Sequence, residues 1–188
     1  MFGLHAAHPA TMEALVVITV VSDTHGRDGA RLDGDTATAV DRADLVIHAG
    51  DFITMAALTE FADRATELSG VHGNVDTDAV RGQLPETRTI THDGARIAVV
   101  HTRDGGDTAL AMFGREREAD LVIHGHSHRP EYRWTGELGL LNPGSHAQPR
   151  GNRPGYAELT VHASRIEGEL RQPNGRPIGG FECPIGDG

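Results

Sequence analysis

A chain of 188 residues suits one domain, long enough to bury about 70% of the surface its unfolded form exposes, and argues against a second core. Its 17 Arg plus Lys against 27 Asp plus Glu leave a net charge of −10, which argues against a partner held by phosphate neutralisation along duplex nucleic acid. The one cysteine, Cys183, makes neither an internal disulfide nor a thiolate cage, so metal work would fall to oxygen and imidazole ligands, and a cytoplasmic, reducing location fits.

Residues 1–11 have no hydrophobic periodicity, and residues 1–14 are expected as a loose lead to a domain over residues 15–171. The apolar run Ala14 to Val21 is too short to span a membrane and lacks the basic flank of a signal peptide. Leu15 to Val21 is β-branched and bounded by turn formers, and reads as a buried strand. Leu45 to His48 and Leu121 to His124 share its continuous apolar character, expected of strands covered on both faces.

Between them lie helical stretches: Asp35 to Arg42, Thr54 to Glu67 with Ala57, Leu58, Phe61, Ala65 and Leu68 on one face, and Asp107 to Glu118. Strand and helix alternation is the α/β signature. Thr87 to Thr91 and Ala95 to His101 flank the turn signal "HDG", and Ala157 to Val161 and Arg165 to Leu170 flank "HASR". These hairpins favour two mixed sheets packed face to face over one parallel sheet. Residues 172–188, rich in Gly and Pro, read as a loose tail or a strap over the surface.

The segment "ADLVIH" occurs twice, at 43–48 and 119–124, and polar residues follow it each time. Across the chain, Asp23, His25, Asp51, Asn74, His101, His126 and His128 each fall just past an apolar strand. Ligands of open α/β sheets bind beyond the carboxyl ends of the strands, so these seven are expected to converge. Two carboxylates, one amide carbonyl and four imidazoles suit Mn, Fe, Co, Ni or Zn and are too rich in nitrogen for Ca. Seven protein ligands exceed the needs of one ion with an open position, whereas two ions sharing a bridging carboxylate would use them all. A strand-like backbone would turn His126 and His128 to one side, and Asp23 and His25 likewise.

The ordered motifs "SDTHG" at 22–26, "HAGD" at 48–51, "GNVD" at 73–76, His101 and "GHSH" at 125–128 resemble those of calcineurin-like metallophosphoesterases. "GNVD" with Val75 after the Asn, "NPGS" at 142–145 and "PR" at 149–150 narrow the resemblance to the YfcE/MJ0936-type phosphodiesterase subfamily, over roughly residues 16–170. The resemblance implies a four-layer α/β/β/α metallophosphoesterase sandwich of two mixed sheets flanked by helices. It places Asp23, His25 and His128 on one divalent ion, Asn74, His101 and His126 on a second, and Asp51 between them, with Asp51 and Asn74 nearest the chemistry. It further implies Mn2+ first among Mn2+, Ni2+, Fe2+, Co2+ and Zn2+, a small phosphoester substrate, a bridging hydroxide as nucleophile, and a homodimer or homotetramer. Subfamily members often carry Gly and His where this chain has Thr102 and Arg103. Arg103 is therefore a candidate donor to phosphate oxygens, set against a plain surface arginine.

Other histidines have plainer roles. His48 and His72 are expected to orient neighbouring ligands or pack in the core, His124 to be structural, and His146 to line the cleft or sit in a surface loop. Asp76 is expected to hold its loop by accepting backbone hydrogen bonds. Two functions follow from different classes: a two-metal phosphodiesterase, or a protein-binding scaffold that kept the fold and lost the chemistry, as a retromer subunit similar to this family does. Ligand completeness favours the enzyme. "HSHRPE" lacks the Asp-His pair of metallo-β-lactamase hydrolases, and a chain with no Lys has no Walker A loop.

Overall fold

The computed structural model describes residues 15–186, so the expected lead over residues 1–14 lies outside the described residues. In chain order the elements are β1 (Val16–Val21), α1 (Gly34–Arg42), β2 (Leu45–His48), α2 (Met55–Arg64), β3 (Leu68–Gly70), α3 (Asp78–Arg81), β4 (Thr87–His92), β5 (Ala95–Val100), α4 (Gly106–Arg115), β6 (Leu121–Ile123), β7 (Glu131–Trp134), β8 (Gly139–Asn142), β9 (Tyr156–His162), β10 (Arg165–Arg171) and β11 (Pro177–Pro184). One sheet of six strands runs β11-β10-β9-β1-β2-β3, and one of five runs β4-β5-β6-β8-β7. Both are mixed: β1, β2 and β3 are parallel beside antiparallel β9, β10 and β11, and β5, β6 and β8 are parallel between antiparallel β4 and β7.

The period-two geometry of a strand divides its side chains between layers. Ile18 and Val20 of β1 join Ile47, Ile97, Val99, Leu121 and Ile123 in the core between the sheets. Val21 faces the other way, into a cluster with Val40 of α1 and Leu58 and Phe61 of α2. Ala98 and Val100 turn outward onto Leu110 and Phe113 of α4. Helices therefore cover an outer face of each sheet, giving four layers, α/β/β/α. Each fully buried aliphatic or Phe side chain contributes about 1.5–3 kcal/mol, which is why the strands covered on both faces are continuously apolar.

Two expectations need correction. The helix expected over Thr54 to Glu67 starts with a Thr54 cap on the Ala57 N–H but ends at Arg64, because Ala65 is extended and Leu68 pairs beside Val46 as the start of β3. The segment 172–188, expected as a loose tail or a strap over the surface, contains β11, which is neither but a strand paired along the whole of β10. Phe181 lies across Gly168, where a methyl group would meet the ring at 2.1 Å, and stacks on Tyr132 with ring centroids 4.0 Å apart. Cys183 is buried in the inter-sheet core, so packed structure extends past residue 171. Pro177 and Pro184 sit at the ends of this edge strand, where a missing N–H costs no ladder bond.

Candidate metal centre

All seven expected ligands come together at the carboxyl ends of the parallel strands. Asp23 and His25 follow β1, Asp51 follows β2, Asn74 follows β3, His101 follows β5, and His126 and His128 follow β6. Ligand atoms of Asp23, His25 and His128 lie within 4.8 Å of one another, as do those of Asp23, Asp51 and His101. Asp51 Oδ2 stands 3.5 Å from His25 Nε2 and 3.3 Å from His101 Nε2, between the two halves. Asn74 Oδ1 lies 3.0 Å from His101 Nε2 and 3.0 Å from His126 Nδ1.

The donor chemistry fits cations. His101 Nδ1–H donates to the Ala49 carbonyl at 2.7 Å, and His128 Nδ1–H donates to the Gln148 carbonyl. Each ring then turns an Nε2 lone pair inward, where Asp51 Oδ2 and Asn74 Oδ1 face His101, and Asp23 Oδ1 faces His128 at 3.3 Å. Acceptors pointed at acceptors require a proton or a metal ion between them, and a carbonyl behind each imidazole is the usual support of a metal-bound histidine. Charges follow the same logic. Burial raises the Asp23 carboxyl above its ordinary value and pushes His25 down to about 4, so the His25 ring is neutral at neutral pH and its lone pair is open to a cation. Burial also opposes charge on Asp51 and His101, but their mutual hydrogen bond and attraction outweigh it, lowering the acid and raising the base.

The ligands are aimed by unusual backbone. Asp23, His25, Asp51, His126 and His128 have φ of 53°, 48°, 62°, 72° and 57°, the left-handed region that non-glycine residues rarely enter. Such conformations cost of order 1–3 kcal/mol each and persist where the surroundings over-determine them. The strand-like alternation expected for His126 and His128 is therefore absent. β6 ends at Ile123, and the two rings part, the exposed His126 toward Asn74 and the buried His128 toward Asp23 and His25.

Surrounding bonds hold this geometry. The Ser22 hydroxyl and the His126 N–H donate to the Asp23 carboxylate. The Val75 N–H donates to Asp51 Oδ1 at 3.1 Å, leaving Oδ2 to face the imidazoles. Asp76 accepts from the N–H groups of Asp51, Ile53 and Gly73, which is the loop-holding role expected of it. His48 accepts from the Gly50 N–H and so donates from Nε2 to Thr24 at 2.8 Å, tying the loops after β1 and β2 together. Gly125 is required by close approach: a Cβ there would stand 2.0 Å from Ser22 Oγ and 2.7 Å from Asp23 Oδ2.

The sequence profile of the calcineurin-like phosphoesterase superfamily domain matches residues 16–164. This chain belongs to that superfamily. A probable metallophosphoesterase of Methanothermobacter thermautotrophicus is 32% identical over 167 residues, covering 87% of this chain and 95% of the relative. Phosphodiesterase MJ0936 of Methanocaldococcus jannaschii is 22% identical over 143 residues, covering 68% of this chain and 82% of its own length. Among solved structures, the zinc complex of Entamoeba histolytica Vps29 superposes with a TM-score of 0.74 at 22% identity, over 90% of this chain and 99% of that one. The four layers are thus the metallophosphoesterase fold.

Some residues of this superfamily member lie where the sequence did not place them. Arg103 turns away from the cleft, with its guanidinium 4.8 Å above the Phe113 ring. His146 is neither in the cleft nor in a surface loop but buried, edge-on to Phe61, with Nε2 3.2 Å from the Ala30 carbonyl. The "NPGS" loop is a fastening: Ser145 Oγ donates to the Asp23 carbonyl at 2.7 Å, and Asn142 Nδ2 to the Gly125 carbonyl at 2.8 Å. Arg150 of the "PR" pair comes within 3.5 Å of His25 Nε2, a neighbour that no spacing rule signals. Beside Asn74 and His101 opens a cavity of about 290 Å³, lined also by His72, Arg81, Glu86 and Thr102.

Proposed function

We propose that this calcineurin-like phosphoesterase hydrolyses small phosphodiesters with two divalent ions per chain, Mn2+ foremost. The observation that carries the reading is the pair of imidazoles, His101 and His128, each locked by a backbone carbonyl with its free nitrogen turned toward a carboxylate. Ions held there would lower the pKa of water from 15.7 toward about 7 and offset charge on the phosphate. Asp51 Oδ2, between the halves, suits the shared position, and Asp23, His25 and His128 complete one side as Asn74, His101 and His126 complete the other. Asn74, Val75 and His126 are exposed at the mouth, where an ester would enter, and the adjoining cavity suits one of its organic groups. The name of the Methanocaldococcus relative supports a diester over a monoester.

The test is to load the purified chain with Mn2+ or Ni2+, measure bound metal by elemental analysis, and screen aryl, nucleotide, cyclic and lipid-headgroup diesters. About two equivalents and turnover of a diester are expected. One equivalent with full activity would overturn the two-ion reading, and full loading without turnover of any ester would favour the scaffold.

A further inference from the structure

We infer that Arg150 is the phosphate-gripping residue of this site, a specificity determinant that holds the non-bridging oxygens of the anion at the Asp23, His25 and His128 side. The inference rests on the phosphoesterase reading and adds a residue to it. Arg150 Nη2 lies 3.5 Å from His25 Nε2, the ring nitrogen that faces His128 and Asp51. A guanidinium has no acceptor function, and an imidazole nitrogen committed to a cation leaves it nothing to bind there. Among the described residues no carboxylate lies within 4.0 Å of Arg150, in contrast to Arg42, Arg64, Arg96, Arg133 and Arg171. Among those residues it is therefore a free cation at the rim of an anionic cluster.

The loop that presents it is built for placement. Ser145 Oγ donates to the Asp23 carbonyl and accepts from the Gln148 N–H, the Gln148 carbonyl accepts from His128, and the Asn152 side chain donates to the Ser127 carbonyl. Both flanks of Arg150 are thus tied to the segments that carry Asp23 and His128. Arg150 itself is exposed and has φ of 49°, a strained backbone conformation that fixes where its side chain leaves the loop. The other arginines nearby are occupied: Arg81 donates to the Asp76 and Asn74 carbonyls, and Arg103 lies over Phe113. Beside the ions, the guanidinium fork adds what they do not, a directional match to two phosphate oxygens at once.

The experiment titrates inorganic phosphate into the Mn2+-loaded full chain by calorimetry, for the parent, Arg150→Ala and Arg150→Lys, with bound metal measured in each. A lost charged hydrogen bond predicts phosphate binding weakened roughly ten- to a hundredfold in Arg150→Ala, with metal content unchanged and Arg150→Lys in between. On a substrate the loss is expected in KM more than in kcat, as for a contact made equally before and during reaction. Unchanged phosphate affinity in Arg150→Ala overturns the inference, as does a parent that binds no phosphate. Loss of metal from Arg150→Ala overturns it too, since the arginine would then be a support for His25. Absence of turnover in the parent would count against the phosphodiesterase reading alone, because the phosphate titration needs no turnover.

Discussion

Asp51 Oδ2 faces His25 on one side and His101 on the other, whereas Asn74 offers its carbonyl to one half of the centre. On the proposed two-ion reading, removing the shared carboxylate should disturb both ions and removing the amide only one. Asp51→Ala is expected to lower kcat/KM by about 10³-fold or more, and Asn74→Ala by about 10–100-fold. Circular dichroism should show both variants folded, and equal mild losses would refute the bridging position. Val75, 42% exposed beside these residues, bears on the leaving group. A positioned general acid is worth about 10²–10⁴-fold, and valine supplies none. The parent should therefore show a steep dependence of rate on leaving-group pKa across substituted phenyl phosphodiesters, and Val75→His a flatter one. A flat dependence in the parent, with chemistry rate-limiting, would expose an acid elsewhere, His72 being the imidazole that lines the adjoining cavity.

At the scale of elements, the loops after β2 and β3 are held as one piece by a single side chain. Asp76 accepts from the Asp51, Ile53 and Gly73 N–H groups, and each donor left unsatisfied in a buried position costs about 1–3 kcal/mol. Asp76→Ala is expected to lose about 3 kcal/mol or more of stability in urea unfolding and to weaken metal binding, although Asp76 is no ligand. Unchanged metal affinity would mean that Asp51 and Asn74 are positioned by other bonds. The apolar strands β1, β2, β5 and β6 were legible because burial on both faces demands uninterrupted apolar residues. β11 was not, since Pro and Gly signal a loop in isolation. Its pairing is decided by Gly168 making room for Phe181 and by the buried Cys183, both set by residues distant in sequence. The parting of His126 and His128 was hidden for a related reason: left-handed backbone at non-glycine positions is imposed by surrounding contacts and leaves no mark in residue type.

For the molecule as a whole, buried neutral histidines make stability depend on pH. Burial pushes His146 down to about 4 from an ordinary 6.5, and the hydrogen bond to Ala30 restores only part of the shift. Between those values the unfolded chain takes up a proton that the folded chain refuses, so stability is full above about pH 6.5 and falls as pH drops toward 4. This one group should cost about 2 kcal/mol at pH 5 relative to pH 7.5. In metal-free protein, His146→Leu is expected to start less stable at pH 7.5, having lost the bond to Ala30, yet to lose less between the two pH values. An identical pH dependence in thermal unfolding would refute the account.

Sequence by itself determined the α/β class, the strands that end in polar side chains, the seven residues that converge there and their mixed oxygen and nitrogen chemistry, because apolar runs and strand-end polar residues are local facts. Only the tertiary structure decided which carbonyls hold His101 and His128 by Nδ1, that Arg150 reaches His25, that Arg103 turns to Phe113 instead, and that β11 forms the edge of the sheet. Those outcomes depend on carbonyls, rings and glycines brought near from elsewhere in the chain, and no pattern within a short window can carry them.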